Sequence, residues 1–441
     1  MSRGVSTLLF FVVLVALSAY IWFVESKREP ANPDAKPKVF AALQADMIEE
    51  LVVRGSKREA TTVKKDGATW RVIAPVNVEA DLAEVSGITS GLAGLERQAT
   101  VDQPVALKEY GLDPARTEIA FKVAGEAQPR RLLLGDKTPT GADLYAKLGD
   151  APGVFLVQSY LESTFDRGTF DLRDKTALKF ARDKVDGVEL QREGETLVFA
   201  KQGDDWRMRA PLDVRADYGA VEGLVGRLGT LQMKGITEQE VSDPKAYGLD
   251  APQYTVHLNA GSARSTLLVG KANPDGALFA KDASRPMIFT LDGTLADDLR
   301  KPAGDFRPKD LFDFRSFTGN RFEATRDGAT LAFEKQKGTG DNAPDTWVQV
   351  QPKKDVEEAK LLDAISAITN LRAASFVDAV PAGATQVAQF KAVSNDGRKT
   401  ELVTLSQLGT DYYATRAGDP GAAKMTADEV TAALKALDAL K

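Results

Sequence analysis

The sequence contains no cysteine among its 441 residues. That absence excludes disulfides, thiolate zinc sites, cysteine nucleophiles and a lipid-modified N-terminal cysteine. Long blocks of one charge are also missing: the 57 Lys and Arg residues and the 63 Asp and Glu residues are spread along the chain. A surface that follows nucleic-acid phosphates needs clustered Lys and Arg, so we expect no binding to nucleic acid.

Histidine is almost as scarce, because His257 is the only one. It lies in the stretch Tyr-Thr-Val-His-Leu, which predicts a strand, and general acid–base sites need a positioned partner. Neither a Gly-x-Ser-x-Gly elbow nor a Gly-x-x-x-x-Gly-Lys-Ser/Thr loop occurs. The sequence therefore predicts no catalytic residue, no cofactor and no metal site, and we do not expect an enzyme.

Long hydrophobic runs are limited to one, at residues 5–24, which carries no charge. Twenty residues of helix span about 30 Å, the thickness of the hydrocarbon core, so the run predicts a transmembrane anchor at 1–24. The alternative is a signal peptide cleaved near residues 16–18. Residues 25–38 hold three prolines and no large apolar side chain, which predicts an extended tether.

The chain does contain an internal repeat. Trp70 and Pro75 return 136 residues later as Trp206 and Pro211, in the same Trp-x-x-x-x-Pro spacing. Further matched positions include Asp81 with Asp217, Tyr110 with Tyr247, Gly111 with Gly248, Leu112 with Leu249, and Asp113 with Asp250. Trp347 and Pro352 start a third copy, which lacks the Tyr-Gly-Leu-Asp turn, as terminal repeats often do. We therefore predict units at 39–178, 179–312 and 313–441.

Each unit has the pattern of an α+β fold, in which antiparallel strands pack with one amphipathic helix. In the second unit, Asp217 is placed to cap a helix whose apolar residues recur at helical spacing. Gly111 and Gly248 are expected to take positive φ in their turns. The three repeated tryptophans are interpreted as core anchors of the sheets.

Glycine-bounded segments at 135–141 and 270–276 fall between strand signals at matching places in the first two units. That position favours hairpin loops over anion sites. The segment that begins at Asp136 has the start of a calcium-binding loop, but its twelfth residue is Lys147 where Glu is needed. We expect no calcium site there.

The ordered motifs resemble the family called domain of unknown function 4340. The matches from Trp70 to Lys175 and from Trp206 to Lys309 carry the resemblance, and the third copy follows it only loosely. The resemblance implies a bacterial, membrane-tethered protein, of a kind often encoded beside gliding-motility-type ABC transporters and described as an auxiliary component. It brings no catalytic residues to carry over.

These observations lead to an expected function. We expect a non-enzymatic accessory or scaffold protein of an ABC-type transport system, bound to a permease or related subunit. A single span would hold it in the cell inner membrane with its body in the periplasm. That side rests on the resemblance, because Arg3 before the run and Lys27 and Arg28 after it favour a cytoplasmic body slightly. The alternative is a module that binds an envelope glycan or lipid, with Tyr412 and Tyr413 as candidate aromatic contacts. An exposed apolar strip would favour a protein partner, and a deep pocket with converging polar groups would favour a small ligand.

Overall fold

The computed structural model describes Ser18, Trp22 and residues 36–102, 106–149, 151–241, 243–338 and 344–441. The chain divides into two compact units, Met1–Lys175 and Thr176–Lys441. Three nine-stranded sheets account for most of the regular structure, the first in the first unit and the other two in the second.

The first sheet is built from two four-stranded meanders and one additional edge strand. Its strands are β1 Ile48–Arg54, β2 Ala60–Asp66, β3 Thr69–Ala74, β4 Val78–Glu79, β5 Ala99–Val101, β6 Thr117–Val123, β7 Arg130–Lys137, β8 Asp143–Leu148 and β9 Val154–Gln158. Their order across the sheet is β4-β3-β2-β1-β6-β7-β8-β9-β5, and neighbouring strands are antiparallel. The two meanders therefore join where β1 pairs with β6.

The second and third sheets repeat this order. The second contains β10 Gly187–Arg192, β11 Glu195–Gln202, β12 Asp205–Ala210, β13 Val214–Arg215, β14 Gly235–Glu238, β15 Tyr254–Ala260, β16 Ala263–Ala272, β17 Leu278–Asp282 and β18 Ile288–Leu291. The third contains β19 Gly319–Arg326, β20 Ala329–Gln336, β21 Thr346–Gln351, β22 Lys353–Lys354, β23 Ala373–Val377, β24 Thr385–Ser394, β25 Lys399–Leu408, β26 Asp411–Arg416 and β27 Ala422–Met425. Their orders are β13-β12-β11-β10-β15-β16-β17-β18-β14 and β22-β21-β20-β19-β24-β25-β26-β27-β23.

Helices connect and cover the sheets. They are α1 Leu82–Ala93, α2 Leu161–Phe165, α3 Thr169–Leu172, α4 Tyr218–Gly229, α5 Leu295–Leu299, α6 Glu358–Thr369 and α7 Ala427–Asp438. The twelve-residue helices α1, α4 and α6 each follow the fourth strand of their sheet and lead to the opposite edge strand. Such a connection must cross one face of the sheet, so that face becomes the core side.

Side chains alternate between that core and the other face of each sheet. In β1, Leu51 and Val53 are buried whereas Arg54 is exposed, as the two-residue period of a strand requires. Val85 and Ile88 of α1 belong to the same buried cluster as these strand residues. The core of each repeat therefore lies between a sheet and its helix.

The structure corrects the predicted α+β class. Among the described residues, 43% are in strands and 21% in helices, so the fold is mostly β. The prediction was wrong because the edge strands β4, β13 and β22 have only two residues each, too few for a periodic signal. In the described part of the chain, 27 strands accompany only four helices of twelve residues, so strands dominate the fold.

The predicted membrane span is not supported either. Residues 5–24 lie outside the described part of the chain, apart from Ser18 and Trp22. Among the residues that the structure describes, no helix is both long and apolar enough to cross a membrane. The membrane partner inferred from that run is therefore withdrawn. The tether at 25–38 also falls almost entirely outside the described residues.

Candidate functional site

The repeated tryptophans lie on the third strand of each sheet and differ in burial. Trp206 and Trp347 are buried, whereas Trp70 is only partly buried against the first core. Trp206 Nε1 donates a hydrogen bond to Glu222 Oε1 at 2.9 Å, and Trp347 Nε1 donates to the Ser316 carbonyl at 3.2 Å. The indole N–H groups of Trp206 and Trp347 thus each have the hydrogen-bond partner that a buried tryptophan needs.

The repeated prolines follow the tryptophan strands, and the repeated aspartates begin the long helices. The peptide bonds before Pro75, Pro211 and Pro352 are cis. Asp81 caps α1 by accepting from the backbone N–H groups of residues 83 and 84, and Asp217 caps α4 by accepting from Ala220 at 2.8 Å. Each cap satisfies donors at the start of the helix.

The Tyr-Gly-Leu-Asp turns pack against a glycine of a neighbouring strand. Gly111 and Gly248 have φ of +64° and +69°. A Cβ atom on Gly135 would lie 2.0 Å from the Tyr110 carbonyl oxygen, and one on Gly270 would lie 2.2 Å from that of Tyr247. Glycine is therefore required where the turn crosses the strand.

The remaining turn residues complete this contact. Leu112 and Leu249 are buried, whereas Asp113 and Asp250 are exposed. The rings of Tyr110 and Tyr247 pack on those of Tyr145 and Phe279, with centroids 4.5 and 4.9 Å apart. In the third sheet Ser406 stands at the glycine position, in the unit that lacks the turn. The Tyr-Gly-Leu-Asp turn and the strand glycine thus occur together in the first two repeats, and both are missing from the third.

A groove beside α1 is the candidate functional site. Its helical wall is a row of small residues, Gly87, Ser90, Gly91 and Gly94. The short helix α2 approaches this wall closely: a Cβ on Gly91 would lie 3.1 Å from the ring of Phe165. Small residues on a helix allow another backbone or ring to come near, and here they leave a cavity of about 360 Å³.

Polar and aromatic groups stand on the opposite side of the groove. Tyr160, at the start of α2, is 64% exposed and forms its lip. Gln98 accepts a hydrogen bond from Lys36 through Oε1, while its buried Nε2 has no partner among the described residues. The groove therefore offers the large aromatic surface of Tyr160 at its lip.

The second and third repeats fill the corresponding place. In α4, Arg227 occupies the position of Gly91, donates to Thr294 Oγ1 at 3.1 Å and lies 3.5 Å from Asp298. In the third repeat the corresponding residue is Ala367, and the twelve-residue α7 packs on α6 where the first two repeats have five-residue helices. The open groove thus distinguishes the first repeat from the other two.

The other candidates from the sequence have structural contacts. His257 Nδ1 lies 2.8 Å from Thr266 Oγ1, and burial lowers the pKa of His257, with a further lowering from Arg264 and an opposing effect of Glu189. The described residues contain no group of His, Cys, Asp and Glu that could hold a metal ion. His257 therefore takes part in a polar contact between strands.

The glycine-bounded segments and the paired tyrosines are also structural. Segment 135–141 runs from the end of β7 into the loop before β8, and in segment 270–276 Asn273 Oδ1 accepts from the backbone N–H groups of Asp275 and Ala277. Tyr413 is buried, and Tyr412 is partly buried against the third core. Neither tyrosine presents the freely exposed ring that a glycan contact would use.

Sequence alone did not single out the groove. Its signal was the row Gly87, Gly91 and Gly94 in a predicted helix, where glycine costs about 1 kcal/mol relative to alanine. The position of Tyr160 beside it depends on the turn after β9, which sequence spacing does not reveal.

Comparison with known proteins identifies one family. The sequence model of the family "Domain of unknown function (DUF4340)" matches residues 70–210 and 206–386, well over half of the chain. None of the curated proteins compared with the chain matches it.

Similar solved structures include the DNA polymerase sliding clamp from Pseudomonas aeruginosa, at 11% identity and a TM-score of 0.16, covering 87% of this chain and 92% of that one. They also include the DNA polymerase III subunit beta from the same organism, at 10% identity and a TM-score of 0.15, covering 89% and 94%. These TM-scores are too low to support any argument about fold or function.

Proposed function

Because the chain belongs to the DUF4340 family, the family of a domain of unknown function, we propose its role from its own geometry. It is a non-enzymatic accessory or scaffold protein that binds a protein partner in the groove beside α1. The assembly that it serves is an ABC-type transport system, a part of the proposal that rests on the family resemblance alone.

The open groove of the first repeat is the observation that carries the proposal. All three repeats share one strand order. In the second repeat Arg227 bonds across to Thr294, and in the third α7 packs on α6, whereas the groove beside α1 stays open. An unfilled copy of a repeated packing site is available to a segment from another protein. Tyr160 suits such a contact, since exposed aromatic residues are enriched where proteins bind each other.

Photo-crosslinking in cells tests this proposal. A photoreactive phenylalanine replaces Tyr160, and a matched control replaces Tyr218, which is 55% exposed at the start of α4. We expect a defined protein adduct from position 160, containing a subunit of an ABC-type transport system, and no such adduct from position 218.

Filling the groove supplies the second arm of the test. Gly87→Arg places a long side chain in the groove, and Gly223→Arg makes the same change at the equivalent position of α4; a Cβ at either glycine contacts nothing within 4 Å. We expect G87R to abolish the adduct from position 160 and G223R to leave it unchanged. An adduct that persists in G87R, or forms equally from both positions, would refute binding in this groove.

The location of the body outside the cytoplasm stays a prediction from the family resemblance. A reporter enzyme that is active only in the periplasm, fused after Lys441, should be active in cells. Activity confined to a reporter that works only in the cytoplasm would contradict this location.

A further inference from the structure

A small cavity lined by three arginines lies within the second compact unit, between β13 and the third sheet. Arg215, Arg307 and Arg416 line it together with Asp310 and Asp419, and its volume is about 30 Å³. Such a volume accommodates about one water molecule or one monatomic ion.

The two acidic residues of the cavity wall already have cationic partners. Asp419 Oδ2 accepts from Arg215 Nε at 2.9 Å, and Asp419 Oδ1 accepts from the Arg215 backbone N–H at 3.3 Å. Asp310 pairs with Arg315 at 3.3 Å and with Arg372 at 3.0 Å. Neither carboxylate is free to balance a further guanidinium.

Arg307 is the cation without a carboxylate. Its guanidinium lies 3.9 Å from the ring centroid of Phe376, and its Nη2 donates to the Pro420 carbonyl at 3.3 Å. Both partners are neutral, and Arg307 forms no ion pair with a described residue. Burial lowers the pKa of Arg307; Asp419 counteracts this effect and Arg215 adds to it.

Arg416 has a donor that no described residue accepts. Its Nη2 is shared between Asp313 Oδ2 at 3.0 Å and Glu401 Oε1 at 2.5 Å. Its Nη1 is buried and has no hydrogen-bond partner in the part of the chain that the structure describes. An unsatisfied buried donor on a charged group is costly, so a native structure normally supplies an acceptor.

The charges around the cavity do not cancel. Arg215, Arg307, Arg416 and Lys399 carry four positive charges, and the carboxylates that share them are Asp313, Asp419 and Glu401. Four cations against three carboxylates leave one positive charge in a partly buried place. A water molecule could accept a hydrogen bond there but would not neutralise the surplus.

We propose that this cavity binds one small monovalent anion of chloride size, held by Arg307 and Arg416. The bound anion joins the segment before the third sheet, which contains Arg307, to β26, which ends at Arg416. It thereby completes the contact between the second and third repeats.

Melting of the full chain in sodium chloride and in sodium gluconate, at equal ionic strength, tests the proposal. Gluconate is too large for the cavity. We expect the chloride sample to melt about 3 °C higher once chloride reaches about ten times its Kd. Crystals grown in bromide should show an anomalous peak in contact with Arg307.

Two variants separate a bound anion from a general salt effect. Arg307→Gln removes the unpaired cation, and Arg372→Gln removes an arginine that pairs with Asp310 but does not line the cavity. We expect R307Q to lose the chloride-minus-gluconate difference and the bromide peak, and R372Q to keep both. Equal melting of the wild type in the two salts without a bromide peak, or a full chloride response in R307Q, would overturn the proposal.

Discussion

At the scale of single residues, glycines at backbone crossings are the most constrained positions. In Gly270→Ala, the new Cβ would lie 2.2 Å from the Tyr247 carbonyl oxygen, so the turn or the strand must shift. We expect a loss of about 1–3 kcal/mol in the free energy of unfolding, measured by urea denaturation. Gly223→Ala is the control: its Cβ contacts nothing in an exposed part of α4, and alanine there should stabilise by about 0.5–1 kcal/mol. Equal stability of G270A and wild type would show that the crossing tolerates a methyl group.

Trp206 is the second residue whose role can be measured directly. It is 2% exposed, bonds Glu222 and lies 5.1 Å from Lys201 Nζ, measured to the ring centroid. Trp206→Ala should cost about 3–5 kcal/mol and lower the melting temperature clearly. Trp206→Phe retains one ring and should cost less, since it loses only part of the buried ring surface together with the N–H bond. An unchanged melt of W206A would mean that the indole is not part of the core.

At the scale of elements, α7 occupies a position that short helices hold in the other repeats. Its buried residues Val430, Ala433, Leu434 and Leu437 belong to the third core, and Asp438 pairs with Arg326 of β19 at 2.5 Å. A chain that ends at Thr426 loses this cover. We expect it to bind a hydrophobic dye and to lose the cooperative unfolding of the third repeat, because the apolar faces of α6 and the third sheet become exposed.

The control for this truncation removes Lys441 alone, whose side chain pairs with Asp327 and Asp438 at the surface. Surface ion pairs contribute little, so this chain should melt like the wild type. A chain ending at Thr426 that also melts like the wild type would show that α7 is not needed by the third core.

At the scale of the whole molecule, an ionic cluster connects the second and third repeats. Burial raises the pKa of Glu401, although the Asp313 backbone N–H donates to it at 2.9 Å. Burial alone would raise the pKa of Asp313 too, but Lys399 and Arg215 hold it below its ordinary value. The contributions of these two carboxyls to stability therefore change in opposite directions as the pH rises.

The direction in which Glu401 changes stability with pH follows from its raised pKa. Its contribution to stability is fully present below the unfolded-state pKa and is lost as the pH rises through the folded-state pKa. Glu401→Gln stays neutral at every pH, so its melting temperature relative to wild type should improve from about pH 4 to about pH 8. A difference between variant and wild type that does not change with pH would show that Glu401 titrates as it does in the unfolded chain.

Much of the local structure could be predicted from the sequence. The helix that follows Asp217 and the positive φ of Gly111 and Gly248 depend on residues within a few positions of one another. The repeat is visible in the sequence itself, because the same short motifs recur in the same order. Helical spacing, caps and turns are local properties, so one sequence is enough to indicate them. The membership in the DUF4340 family follows from the same ordered motifs.

Tertiary structure alone decided the mostly β class, the strand order and both proposed sites. The pairing of β1 with β6, the packing of Tyr110 on Gly135 and the ion pair of Arg215 with Asp419 join residues far apart in sequence. Strand pairing and charge clusters depend on which distant segments meet, and no periodicity within a window of the chain encodes that meeting. The groove beside α1 and the arginine cavity exist only where such segments come together.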